Sequence, residues 1–193
     1  RYDSDTVANA LFVDGATGYV STGTLGTSNT RLGVNAGDAI VSGCNQNVLI
    51  GDGAGTKLNS GDDNVAVGMN AFSEETSGQY CVAVGRAALG SQATAGNAYN
   101  TDVGYFAGLN VTTGTENTFI GAEAGDAIST AVKNVALGKS ALSADTKGDK
   151  STAIGQGALA NQNFTTSTET HNTAVGHFAG LSVTTGTNNT LVG

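Results

Sequence analysis

Apolar positions recur along this chain in short bursts, not over helical windows. An aliphatic residue followed by glycine returns at Gly33, Gly51, Gly68, Gly85, Gly104, Gly121, Gly138, Gly155, Gly176 and Gly193, at spacings of 18, 17, 17, 19, 17, 17, 17, 21 and 17 residues. Each unit opens with Asn, then Thr or Val, a variable residue, an aliphatic residue and the glycine, and an alanine follows three residues later. Examples are Asn64-Val65-Ala66-Val67-Gly68 with Ala71 and Asn117-Thr118-Phe119-Ile120-Gly121 with Ala124. Such a burst predicts a short strand, in which the second and fourth positions share a face. Val65 with Val67, Val48 with Ile50, and Thr152 with Ile154 are therefore expected to form a buried stripe. The third position, which carries Arg31, Asp102, Phe119 and Leu191, is expected to face the other way under looser constraint. The glycine marks a bend or a close backbone approach, and the fixed alanine a packed site with room for one methyl group. Residues 100–116 (NTDVGYFAGLNVTTGTE) and 172–188 (NTAVGHFAGLSVTTGTN) are nearly copies, so the chain grew by duplication.

These units predict an all-β fold: a parallel β-solenoid or β-roll of about ten 17-residue rungs over residues 29–193, preceded by a linker or capping segment with a short hairpin over 1–28. Asn opens eight of the ten units, Cys81 and Ser151 the other two. Stacked at ~4.8 Å, these amides either form a hydrogen-bonded ladder or each separately tolerate a turn conformation. A rung offers two or three sizeable apolar side chains, a thin core for one chain, so three chains wound around a common axis are the expected assembly. Ten rungs span on the order of 45 Å. Because the last unit has no polar cap, the repeats are expected to continue past residue 193.

Composition agrees with strands and tight turns: 29 glycines, no proline, no tryptophan and 12% charged residues. A net charge of −8, with eight scattered Lys and Arg, excludes a partner held by phosphate neutralisation. No apolar run approaches the ~20 residues of a membrane span. Cys44 and Cys81 fall about two rungs apart, on the order of 10 Å, beyond the ~7 Å that a disulfide allows, and buried free thiols are expected.

The Asn-Thr-x-Ile/Val-Gly-x-x-Ala unit resembles the head repeats of trimeric autotransporter adhesins, and more closely the longer repeats of phage tail fibres and related fibre proteins. The first resemblance implies a trimeric left-handed parallel β-roll with the strand that bears the two aliphatic positions toward the trimer axis. Residues 11–24 (LFVDGATGYVSTGT) resemble the linker that precedes such repeats in many tail fibres. The implied function is a structural and adhesive shaft segment of a phage tail fibre, or of a related injection-system fibre, that supports host-surface attachment. The alternatives are the head of a bacterial cell-surface trimeric adhesin and a β-helical polysaccharide depolymerase. The implied setting is extracellular, on a virion tail fibre or a surface appendage, with a bacterial surface receptor or glycan as partner.

No catalytic residue, metal site or cofactor is expected. Asp52, Asp102, Glu123 and Asp126 occupy different places in their rungs and read as surface charge, where a depolymerase would need paired carboxylates across a groove. Calcium-binding repeats are absent, and His171 and His177 stand on unlike faces. Sequons at Asn110, Asn163 and Asn188 matter only in a secreted eukaryotic protein. The long rungs carry insertions at residues 90–99 and 160–171, and insertions gather on exposed, often binding, faces. Tyr99 and Phe164 sit within them, and Tyr80 with Glu74 and Glu75 occupies the corresponding loop of another rung. These aromatics are either contacts for a sugar or a protein or loop residues folded back on the rod. A threonine column (Thr101, Thr118, Thr173, Thr190) raises ice binding, which the expected burial of that stripe rules out.

Overall fold

The computed structural model describes residues 11–13, 20–22, 26 and 28–193, the first two segments by backbone alone. In chain order the strands are β1 (Leu11–Val13), β2 (Val20–Thr22), β3 (Thr30–Leu32), β4 (Val48–Ile50), β5 (Val65–Val67), β6 (Gly78–Gln79), β7 (Val82–Val84), β8 (Gly96–Asn97), β9 (Thr101–Val103), β10 (Thr118–Ile120), β11 (Val135–Leu137), β12 (Gly148–Asp149), β13 (Thr152–Ile154), β14 (Thr168–Glu169), β15 (Thr173–Val175) and β16 (Thr190–Val192). The described residues contain no helix. β1 and β2 pair antiparallel, whereas the ten repeat strands stack in chain order into one parallel, in-register sheet. Two further pairs, β6 with β8 and β12 with β14, are also parallel. The fold is thus an all-β parallel solenoid of about ten turns.

Two features hold rung to rung. The unit glycines have φ between 103° and 148°, and a Cβ on Gly121 would lie 2.6 Å from the carbonyl oxygen of Gly138 one rung on. Backbone lies on backbone there, and any side chain would separate the rungs. At the other end of the strand the asparagines do form a ladder. Asn47 Oδ1 accepts from the Asn64 amide at 3.0 Å, and its Nδ2 donates to the Gly61 carbonyl at 2.9 Å. Asn117 repeats this with the Asn134 amide and the Ala131 carbonyl. The ladder runs from side chain to backbone, so each buried Asn satisfies two main-chain groups that the turn leaves unpaired.

The interior corrects the expected orientation of the strands. The third position points into the tube: Leu49, Ala66, Ala83, Asp102, Phe119, Ala136, Ala153 and Ala174 are fully buried, together with the fixed alanines. The second and fourth positions, Val65 and Val67 among them, face outward and are half-buried by their stacked neighbours. Fourth-position residues reach 39% exposure at Ile120 and 61% at Leu32. One rung closes on itself within about 17 residues, so the tube admits one side chain per strand.

Nor is the third position loosely constrained. Where it is large, the residue after the fixed alanine is glycine: a Cβ on Gly125 would meet the Phe119 ring at 2.7 Å, and one on Gly55 would meet Leu49 at 2.8 Å. At Ala66, Ala83, Ala136 and Ala153 that residue is Phe72, Leu89, Leu142 or Leu159, all fully buried, whereas Ala174 is followed by Gly180, where a Cβ would meet Leu159 of the preceding rung at 2.8 Å. Phe72, Leu89, Leu142 and Leu159 are held at φ of 48° to 57°, a conformation that costs a non-glycine residue about 1–3 kcal/mol. Burial of a large side chain, ~1.5–3 kcal/mol, offsets that cost.

Asp102 is the misfit of this interior. Expected at the surface, it is fully buried beside Gly108, and neither carboxylate oxygen has a hydrogen-bond partner. Burial pushes its carboxyl well above the ordinary value, a rise only partly opposed by the Phe119 backbone. Cys44 and Cys81 are free and buried, as expected, and burial pushes both thiols up to about 11.

Two predictions follow from this interior. Phe119→Ala should cost about 3–5 kcal/mol in urea unfolding, and adding Gly125→Leu, which recreates the Ala136 and Leu142 pairing, should restore most of it; no restoration means the two positions do not share volume. The raised Asp102 carboxyl is protonated in the fold at pH values where the unfolded chain is already ionised. Its contribution to stability is therefore complete below the unfolded value of 3.8 and is lost as pH rises through the folded value. Asp102→Asn should unfold at a higher temperature than the parent at pH 8, with the difference closing toward pH 4, and a constant difference between these pH values would refute the assignment.

Candidate functional site

A solenoid displays its variable chemistry at corners, and one corner of this rod is distinctive. The residue just before each strand-opening position has positive φ in all ten rungs, for example Gln46, Asp63, Tyr80, Tyr99, Glu116, Lys133, Lys150 and His171. Side chains there stand in a column at the rung spacing. Exposed left-handed positions favour polar residues, and the column is polar except at Tyr80 and Tyr99.

Those two rings lie parallel, with centroids 5.2 Å apart and planes at 7°, and they are 42% and 52% exposed. The Tyr99 hydroxyl accepts from Asn97 Nδ2 at 2.9 Å. The two tyrosines singled out in the sequence are therefore brought together on the surface. Phe164 is not: it is 7% exposed, folded against the rod, and its amide donates to Asp145 Oδ1 at 3.0 Å. Of the two readings open for it, the structure corrects the exposed contact residue to the loop residue folded back on the rod. An aromatic ring in a polar insertion covers apolar surface when a buried carboxylate anchors its backbone.

Such carboxylates build both long loops. Seven residues after the unit glycine most rungs carry an aliphatic residue, among them Ile40, Leu58, Val111 and Ile128. At this position stand instead Glu75 then Gln92, and Asp145 then Gln162, all fully buried. Glu75 Oε1 accepts from the amides of Thr76, Ser77 and Gly78 at 2.7–2.9 Å, and Oε2 from that of Thr94 at 2.8 Å. Gln92 bridges Cys81 Sγ (3.3 Å) and Asn100 Nδ2 (2.8 Å), while Gln162 bridges Ser151 Oγ and Asn172 Nδ2, each at 2.8 Å. The glutamines thus span the two places where Cys81 and Ser151 interrupt the asparagine ladder. Cys81 and Ser151, Glu75 and Asp145, and Gln92 and Gln162 are each 70 residues apart, which makes the duplicated unit four rungs long.

The second insertion presents charge where the first presents aromatics. Lys150 and His171 occupy the column there, each against Glu169, with His171 Nε2 at 3.3 Å from Glu169 Oε2. His177 lies against Phe178 on a different corner, centroids 4.1 Å apart. Of the four acids considered for catalysis, Asp52 is exposed, Asp102 is sealed, and Glu123 and Asp126 share a rung. Burial raises the Asp126 carboxyl first, and the Glu123 charge adds to it. Among the described residues no group of three His, Cys, Asp or Glu is placed to hold a metal ion.

A second surface is the outward face of the ten-stranded sheet. Its second positions are all Thr or Val and its fourth positions all Val, Ile or Leu, so it carries no charged side chain along its length. Because this stripe faces outward in the single chain, the burial argument against ice binding does not hold for it. No family model, curated protein or solved structure matches this chain.

The Glu75 cradle carries a direct test. Glu75→Leu, which restores the aliphatic residue of ordinary rungs, should leave the amides of Gly78 and Thr94 without an acceptor. Hydrogen exchange should then lose protection at both amides and across residues 91–97, while β10 to β13 keep theirs. Unchanged protection at Thr94 would mean that the carboxylate does not hold the loop.

Proposed function

We propose that this rod is a shaft segment of a phage tail fibre, or of a related injection-system fibre, assembled as a homotrimer that carries attachment to a bacterial surface. The carrying observation is the outward sheet face: ten strands of Thr, Val, Ile and Leu at the second and fourth positions, without charge, the fourth positions being 38% to 81% exposed at Leu32, Ile120, Ile154, Val175 and Val192 and half-buried at the other five. A contiguous apolar strip of this kind on a soluble protein marks an interaction surface. The strip runs the length of the ten-stranded sheet and is identical in each copy, so three copies facing one axis would cover it, with Thr hydroxyls left to meet each other or water. The repeat's resemblance to fibre and adhesin heads supports the same assembly. A bacterial adhesin head shares that physics and differs in what anchors it.

The same face favours one other reading. Threonine at six of the ten second positions, on a flat array of regular spacing, is also a surface that could order water, and an ice-binding rod would keep it free.

Sedimentation equilibrium separates the two. The fibre reading expects a mass about three times 19.1 kDa, and Val67→Glu with Ile120→Glu should give single chains with the strand signal retained. A wild-type rod that sediments as one chain sinks the trimer. If that single chain also arrests ice-crystal growth, the ice reading replaces it.

A further inference from the structure

We propose that the Tyr80–Tyr99 stack is a binding platform for an uncharged surface polysaccharide; this rests on the reading of the rod as an attachment fibre and names the ligand class of its surface.

The column normally holds polar side chains. At the other rungs the position before the strand carries Ser, Gln, Asp, Glu, Lys, His or Asn, as an exposed left-handed residue should. Two tyrosines on consecutive rungs break that rule at φ of 61° and 53°. Strain and apolar exposure together mark a position kept for something other than stability. The rings are also fixed. Their 5.2 Å separation is close to the strand repeat, their planes differ by 7°, and Asn97 holds the Tyr99 hydroxyl. A rigid aromatic pair presents apolar surface with little ordering cost on binding, and its hydroxyls and the Asn97 amide supply polar contacts at the rim.

The surroundings decide the class of ligand. The same column carries Asp63 one rung before Tyr80 and Glu116 one rung after Tyr99, and Asp62, whose carbonyl accepts from the Tyr80 amide, adds a third carboxylate. Asp62 and Asp63 repel an anionic chain before the stack, while Glu116 after it is partly neutralised by Lys133 at 3.8 Å. A neutral sugar instead offers C–H faces to the rings and hydroxyls to the carboxylates, which accept two hydrogen bonds readily.

The duplicated unit supplies its own control. Lys150 and His171 occupy the equivalent column positions four rungs away, where Glu169 pairs with both and no pair of stacked rings is formed. That corner should not bind.

Affinity electrophoresis of the whole rod through gels containing mannan, dextran or galactan, with alginate as the anionic probe, tests the proposal. At least one neutral polysaccharide should retard the rod. Tyr80→Ala with Tyr99→Ala should weaken that retardation about tenfold or more, Lys150→Ala with His171→Ala should not change it, and each variant should keep the parent's sedimentation mass. Lys150→Tyr with His171→Tyr should strengthen retardation by adding a second platform. No retardation in any neutral gel, retardation indifferent to the loss of both tyrosines, or stronger retardation by alginate would each overturn the proposal. A rod that sediments as a trimer yet ignores all three sugars sinks this inference alone, whereas a single chain that still binds through Tyr80 and Tyr99 sinks only the assembly.

Discussion

The contact on which the rest of this rod depends is that of one backbone lying directly on the next. At the glycine column nothing separates consecutive rungs, and at the strand start each asparagine ties its own rung to the amide and carbonyl of the rung that follows. With both ends of the strand pinned in this way, the pitch is set by the main chain and not by the side chains. Everything variable must then fit around a fixed repeat, either inside a tube one residue wide or outside on the corners. A buried amide that satisfies two main-chain groups contributes about 1 kcal/mol per bond, and repeated over seven rungs, from Asn29 to Asn172, this is a large share of what a thin apolar interior can supply.

Much of this was legible in the sequence. The glycine, the fixed alanine and the opening asparagine all mark places where only one residue type fits, and the rung count and parallel stacking came directly from their spacing. The facing of the strand did not. Alternation shows that two faces differ but not which one is inside, and the usual guide, that the invariant face is buried, misleads here. The third position varies because its variation is compensated six residues later: Phe119 by Gly125, Ala136 by Leu142. Read one position at a time, such a pair looks like freedom. Read as a pair, it is the tightest packing in the molecule.

The candidate surface divided in the same way. Tyr80 and Tyr99 could be named from insertions and composition, but their stacking requires the register that places consecutive rungs one strand spacing apart. Phe164 could not be assigned, because its fate is decided by Asp145 at a position that is aliphatic in the ordinary rungs. Glu75 looked like part of an acidic surface stretch, yet it is a buried anchor, and only its equivalence to Leu58 and Ile128 would have revealed this. Polar residues at core positions of a repeat are the signal to look for, since burying them requires the partners that shape a loop.

The buried carboxylates and glutamines inside the tube also bear on how such a chain avoids errors of its own making. Near-identical repeats invite slippage, in which a segment folds against the wrong neighbour with its hydrogen bonds intact. In this rod each rung carries its own large and small partners with it, but a slip of one rung would separate each buried carboxylate from the glutamine stacked above it. The main chain cannot tell one rung from another; the lumen can. It works as a key cut along the length of the rod, with a pattern that recurs only every four rungs, so that a chain uniform in its pitch still distinguishes each rung from its immediate neighbours.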